Sequence, residues 1–408
     1  MNISSEKGYH NGVGKDDLKR IKPSIFVPQM RKILIAGATV LIALTAYLFY
    51  FQTTHTSLLE ILNFFNPPSS EPQGLIPQEQ LERIEQEITV NGLRRTLKIP
   101  AGYRIEVFAE GFTRPRLLAF EPESGDLYLT ETGTGKVWNV TKQEVIVEGI
   151  KNVHGIAFFE GDLYLASTTS VFRYRDGSLE TLVNNLPSGG HYTATIAFGP
   201  DGKLYVSRGS SCNACENEVR RAAILRFDKD GGDEEVFASG LRNDVGMAFH
   251  PRTGQLWTTE NGRDRLGDNL PPEEVNIIKE GENYGWPYCY SRNVPDPDFG
   301  SAAVCADKEP PYIEMQAHSA PLGMRFDQGA KNLYVAFHGS WNRSAPTGYK
   351  VVRISDPTGE PKITDYISGW LVGTKAWGRP VDVIFDKSGE MFISDDSAGV
   401  VYRLSRTN

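Results

Sequence analysis

Basic residues are too few here for a nucleic-acid partner. Forty-three Lys and Arg stand against 51 Asp and Glu, a net charge of −8 spread along the chain, and phosphate recognition needs a basic face. Long apolar runs are missing too, with one exception. Ile33–Phe51 carries no charge; as a helix it would be about 28 Å long, close to the roughly 30 Å of a bilayer's hydrocarbon core. Lys15, Lys19, Arg20, Lys22, Arg31 and Lys32 precede it, and no Lys or Arg follows until Arg83. That asymmetry puts the N-terminus in the cytoplasm and the chain after residue 52 outside. No A-x-A-like cleavage site follows the aromatic end YLFYF, which favours a retained membrane anchor over a signal peptide. The expected layout is a basic cytoplasmic tail (1–30), a transmembrane anchor (31–52), a linker (53–97) and a folded domain (98–408), periplasmic or extracellular. Within the linker, Leu81, Ile84 and Ile88 stand at the spacing of a short amphipathic helix.

What the chain does have is turns and short strands: 40 glycines between brief apolar runs. From residue 98 one pattern recurs six times. Two or three apolar residues end in Phe, a polar turn follows, and an apolar-aromatic pair opens a second strand. The copies are LLAF…DLYLTE, GIAF…DLYLAS, TIAF…KLYVSR, GMAF…QLWTTE, GMRF…NLYVAF and VIF…EMFISD, at Phe120, Phe158, Phe198, Phe249, Phe326 and Phe385. Each leads to a third strand, such as KVWNV, AILRF or VVYRL. Repeats of roughly 40–50 residues with up to four strands mark a propeller. The expected fold is therefore all-β, a six-bladed β-propeller preceded by a single N-terminal transmembrane helix. GYRIEVFAE, ahead of the first copy, is expected to give the last blade its outer strand and close the ring.

In such a ring, residues just before the Phe-ended strands and just after the second strands share one mouth. They include His191, Arg242, Asn243, Asn261, Gly262, His318 and Arg379, with His338 and Trp341 close behind. The stretch 240–287 concentrates them and adds oxygen donors at Glu260, Asp264, Asp268 and Asn269. A cation and an anionic or quinone-like ligand would meet there. By themselves the same residues also read more plainly: His191 as a loop histidine after two glycines, Arg242 as the ion-pair partner of Glu260 or Asp244, Glu274 as an acidic turn residue.

These segments resemble the pyrroloquinoline-quinone (PQQ) dependent sugar dehydrogenases, a family that includes soluble glucose, aldose sugar and sorbosone dehydrogenases, with the sorbosone group most similar. The resemblance covers about 98–408. It rests on TETGTGKVWNV, His191 ahead of GPDGKLYVS, GLRNDVGMAFHP, TTENG, EEVNIIKEGENYGWP, HSAPLGMRF, AFHGSWNRS and WGRPVDV together. It implies oxidation of a sugar, an aldose or a sorbosone-like substrate, with PQQ and calcium as cofactors and a quinone or cytochrome as electron acceptor. His191 would be the general base, since a neutral imidazole accepts a proton near physiological pH. Arg242 and Asn243 would polarise the quinone oxygens. The carbonyls of Asn261-Gly262-Arg263 would hold one calcium, and Glu274 with the Tyr284 carbonyl a second. Arg379 would bind a cofactor carboxylate. His154, His318, His338 and Trp341 would be possible substrate contacts.

The chain departs from the family pattern in four places. Arg263 stands where a proline is common, which predicts a less rigid turn. Val381 replaces a second carboxylate-binding arginine. The usual cofactor lysine has no counterpart, and Arg343 would substitute for it. Ser210 stands where the glucose enzymes have an aspartate that orients the base. Two rivals follow: a metal-dependent lactonase on a six-bladed propeller, and a sugar- or ligand-binding propeller without cofactor. Outside a membrane, thiols tend to be oxidised. No βαβ context or zinc-like spacing surrounds the four cysteines, so two local disulfides are expected, Cys212–Cys215 and Cys289–Cys305.

Overall fold

The computed structural model describes residues 75–407. The tail, the expected anchor and the linker up to residue 74 lie outside the described residues. Among those described, no helix is long and apolar enough to cross a membrane.

The six repeats build six four-stranded antiparallel sheets. Blade 1 runs Pro115–Phe120, Leu127–Glu131, Lys136–Asn139 and Glu144–Val147; blade 4 runs Asp244–Phe249, Leu256–Glu260, Glu273–Ile278 and Ile313–Met315. The first strands of neighbouring blades touch all the way round, blade 6 meeting blade 1. As expected, the ring is closed by Tyr103–Glu110, which pairs antiparallel with Val400–Arg406 and gives blade 6 its fourth strand.

The repeat motif has a packing reason. A Cβ on Gly155, Gly246 or Gly323 would collide with Ala194, Leu322 or Asp382 respectively, on the neighbouring first strand. Glycine at these places lets adjacent first strands approach closely. The second strands contribute hydroxyl staples. Thr259 accepts from Gly246 N (2.8 Å) and donates to Leu322 O of the next blade (2.7 Å). Thr130 does the same between Leu117 N and His154 O, and Ser394 between Asp382 N and Arg116 O.

The expected amphipathic helix is not there. Arg83–Val90 is a strand, paired residue for residue with Leu93–Pro100. The two-residue turn between them is Asn91-Gly92, both at positive φ, the strongest short hairpin signal a sequence carries. Ile88 and Val90 are buried with exposed Thr89 between them, the alternation of a strand, while Ile84, on the same face, is exposed. Leu97 and Ile99 are fully buried against Tyr366, Ile367 and Trp370. A domain boundary at 97/98 therefore cuts through this hairpin's second strand.

Candidate functional site

The first strands begin, and the second strands end, on one face of the ring. There a network of hydrogen bonds joins most of the expected site residues and reaches all six blades. It starts in blade 3, where His191 Nδ1 lies 2.8 Å from Ser210 Oγ and Ser210 N donates to Arg242 O (2.7 Å). Arg242 donates to the Asn261 carbonyl (3.0 Å), and Asn261 Nδ2 to the carbonyls of Asn243 and Pro321. Thr193 Oγ1 donates to Asn243 Oδ1 (3.1 Å). Glu273 accepts from Gly262 N (2.8 Å) and Ala320 N (3.1 Å), tying blade 4 to blade 5. Across the mouth, Arg379 donates to the carbonyls of His338 (3.1 Å) and Gly339 (2.8 Å). His338 Nε2 lies 2.9 Å from Asp396, which also pairs with Arg116 at 2.8 Å; Arg116 in turn stands 3.5 Å from His154 Nε2.

Burial keeps the histidines neutral. It pushes His191 down to about 3, aided by Arg242 and Arg221. It pushes His338 down to about 4 against the opposing pull of Asp396. His154 and His318 are also lowered, burial again the leading cause. A neutral imidazole keeps a lone pair for a proton, although the same downward shift weakens it as a base.

The arginines differ in what is left of their charge. Arg242 is 2 % exposed and spends its guanidinium on Asn213 O, Asn213 Oδ1, Asn261 O and the Asp264 carboxylate. The sequence offered Glu260 or Asp244 as partner; Glu260 instead takes the Arg242 backbone N–H at 2.7 Å. Arg379 meets only carbonyls and the Tyr349 ring, 5.6 Å from its centroid, with no ion pair among the described residues. Arg343, expected at the cofactor, has protein partners of its own. It bonds Asp268 O, Ala317 O, Asn269 Oδ1 and Ala345 O, which locks its own loop to the loop after blade 4's second strand. At Val381 the place of a second arginine is filled by an apolar contact with Val245 and Leu322.

Arg263 corrects another expectation. Its side chain is buried in ion pairs with Asp296 and Asp298, so the turn that lacks a proline is pinned by charge instead. Gly262 and Arg263 of that turn border one small cavity of about 20 Å³ together with Glu274, Tyr284, Glu260 and Asp296. That is room for about one water or one ion. Asp244, Glu260, Glu274 and Glu314 face one another in register across all four strands of blade 4. Burial pushes Asp244 up to about 8 and Glu274 up to about 7, and raises Glu260 well above its usual range. Neither Asp244 oxygen has a hydrogen-bond partner among the described residues. Such an oxygen-rich, electron-rich pocket suits a hard cation. Among the described residues, however, no three His, Cys, Asp or Glu side chains converge on a metal-sized point, so carbonyls would have to complete the ligand set.

Several residues of the site were not singled out in the sequence. Arg208 and Arg221 are buried and donate to the carbonyls of Pro187, Ser188, Gly189, Gly209 and Thr193, which props up the loop carrying His191. Arg208 ends KLYVSR where other copies end in Glu, Ser, Phe or Asp, a visible departure from the repeat. Asn213, Arg116 and Asp396 had no comparable signal. Trp341 is 62 % exposed with Arg265 over its ring. Both expected disulfides, Cys212–Cys215 and Cys289–Cys305, are present.

Comparison with known proteins follows the same outline. The TrAA12-like family model matches residues 97–407. An uncharacterised protein of Borreliella burgdorferi is 30% identical, over 78% of this chain and 93% of its own length. A pyrroloquinoline quinone-dependent sugar dehydrogenase of Hypocrea jecorina is 25% identical, over 79% of this chain and 93% of its own length. Among solved structures, the holo form of the pyranose dehydrogenase PQQ domain from Coprinopsis cinerea superposes with a TM-score of 0.66 at 23% identity, covering 83% of this chain and all of that one.

Proposed function

The chain belongs to the TrAA12-like family, with PQQ-dependent sugar dehydrogenases among its relatives, and from that premise we propose that it oxidises a cyclic aldose, or the hydrated aldehyde of a sorbosone-like sugar, at C1. When bound, PQQ would supply a two-electron acceptor for the substrate hydride. His191, neutral and held by the Ser210 hydroxyl, would take the proton of the reacting sugar hydroxyl. Arg242, through the one Nη1 proton not given to Asn213, Asn261 or Asp264, and Asn243 would hold the cofactor's oxygens, and Arg379 a carboxylate. The carbonyls of Asn261, Gly262 and Arg263 would face one calcium, and Glu274 with the Tyr284 carbonyl a second. Electrons would leave to a quinone or cytochrome.

The observation that carries this reading is the convergence of a neutral base, His191, with Arg242 and Asn243 in one hydrogen-bonded ring. The decisive experiment adds PQQ and calcium to the full chain and follows dye reduction with aldoses and sorbosone. Saturable, calcium-dependent reduction is expected, and His191→Ala should keep cofactor binding while turnover falls by about a hundredfold or more. Acid release from lactones without an electron acceptor would transfer the protein to the lactonases. Binding of sugar with neither reaction would make it a receptor.

The N-terminal anchor rests on the sequence alone. Membrane fractions should hold the native protein until detergent is added; quantitative recovery in the soluble fraction would remove the anchor.

A further inference from the structure

The short loop Cys212-Asn213-Ala214-Cys215 reaches both halves of the site. Its disulfide closes a ring of four residues, and the sulfurs pack against Ala222 and Trp286. Two successive carbonyls leave this ring in different directions. Cys212 O accepts from Ser210 Oγ at 2.7 Å. Asn213 O accepts from Arg242 Nε at 2.9 Å and from Trp286 Nε1 at 3.4 Å. The Asn213 side chain adds Oδ1 to Arg242 (2.9 Å) and to Asp264 N (2.8 Å), and Nδ2 to Asp264 O (3.1 Å). Asn217 braces the ring by accepting from Ser211 N and donating to Cys215 O.

The first of these bonds decides a tautomer. A serine hydroxyl has one proton to give. Ser210 is fully buried and gives that proton to Cys212 O. Only a lone pair remains for His191 Nδ1 at 2.8 Å, so Nδ1 must be the donor. The proton sits on Nδ1, and Nε2 keeps its lone pair for a substrate. His191 cannot move away from this partner. Its own N–H donates to Ser210 O (2.8 Å), and Gly190 and Gly209 bring the two chain segments so close that a Cβ on either would collide. If the Cys212 carbonyl turned away, the Ser210 proton would be free to face Nδ1. The imidazole would then hold its own proton on Nε2, where it cannot accept another.

We propose that the Cys212–Cys215 disulfide loop is the positioning element of the site: through Ser210 it sets His191 as the Nδ1–H tautomer, and through Asn213 it holds Arg242, so that opening the disulfide disables the base. The base's role in this statement rests on the function proposed above; the tautomer does not. A dithiol that reduces the bond donates two electrons and two protons, leaves Cys212 and Cys215 as thiols and becomes a disulfide itself. The loop is thereby a redox-dependent support for a site that contains no reactive cysteine.

The test is nitrogen-15 NMR of the histidine side chains in cofactor-free protein, His191 being assigned by its loss in His191→Gln. The wild type should show a protonated Nδ1 and a bare Nε2. Ser210→Ala should mix or invert the tautomers, and Ser210→Asp should restore Nδ1–H. Cys212→Ala/Cys215→Ala, or mild dithiol treatment, should act like Ser210→Ala. Cys289→Ala/Cys305→Ala, which opens the other disulfide, should leave His191 unchanged. In reconstituted enzyme Ser210→Ala should lower kcat by about ten- to a hundredfold with KM nearly constant. An Nε2–H tautomer in the wild type overturns the proposal. So does a His191 spectrum indifferent to both Ser210→Ala and opening of Cys212–Cys215. Should the double cysteine variant fail to fold, Ser210→Ala and dithiol-treated wild type decide. Failure of cofactor reconstitution would count against the proposed function and leave the NMR result standing.

Discussion

Asp244 shows how much of this mouth is set by desolvation. It is 2 % exposed, has no hydrogen-bond partner on either oxygen among the described residues, and is pushed up to about 8 by burial, opposed by the Thr258 hydroxyl and reinforced by Glu274. A folded pKa above the unfolded value of about 3.9 means that the native state holds this proton more tightly. The resulting penalty is absent below about pH 4 and grows as the pH rises towards 8. In the presence of a chelator, Asp244→Asn should therefore stabilise the protein at pH 8 by on the order of 2 kcal/mol and change little at pH 4. Urea unfolding at the two pH values measures this; an equal effect at both, or a loss at pH 8, would show that the carboxylate is paired in the native state. At this scale the sequence was a good guide to which residues gather and a poor one to what they touch. His191, Arg242, Asn243 and Asn261 do converge, because their places in the repeat dictate it. That Arg343 locks a loop, and that Arg263 is neutralised by Asp296 and Asp298, depends on contacts 33 to 75 residues apart, for which the chain carries no local pattern.

Among the elements, the hairpin Arg83–Val90/Leu93–Pro100 repays the closest attention. It covers the outer edge of the last two blades, bonding Lys98 to Ser368 in both directions (2.7 and 3.0 Å). Leu97 and Ile99 are at 0 % exposure inside a cluster with Tyr366, Trp370 and Tyr402. Leu97→Ala should cost about 3 kcal/mol, the usual range for a large-to-small change in a packed core; a shift in the urea midpoint at constant slope would measure it. A cost under about 0.5 kcal/mol, typical of surface sites, would mean that the hairpin is an ornament. The helical reading of this segment rested on three apolar residues, Leu81, Ile84 and Ile88. Asn91-Gly92 was the stronger signal, because a two-residue turn at positive φ fits few other sequences. The blade strands were legible for the opposite reason: six copies of one short pattern reinforce one another, where the hairpin occurs once.

The propeller is closed by a strand from before its first blade, which pairs with the last strand of its sixth. Tyr103–Glu110 covers Val401, Tyr402 and Leu404, none of them more than 1 % exposed. Removing residues up to 110 should abolish cooperative unfolding, whereas removing only those up to 100 should leave a cooperative but weaker fold; cooperative unfolding of the shorter chain would show that the closure is dispensable. The closure was readable from sequence because a propeller needs every blade completed and GYRIEVFAE was the one unassigned strand near the first repeat. The sequence by itself determined the all-β class, the number of blades, the face on which the candidate residues gather and both disulfide pairings. All of these follow from patterns repeated or closed within a few dozen residues. The tertiary structure alone decided the hydrogen-bonding state of that site. It shows which arginine has no ion pair among the described residues, how a turn without proline is held, and how the Cys212–Cys215 loop reaches His191 and Arg242 together. Those outcomes depend on the angle at which separate blades meet and on the water each group loses there, and neither quantity is written in any single stretch of the chain.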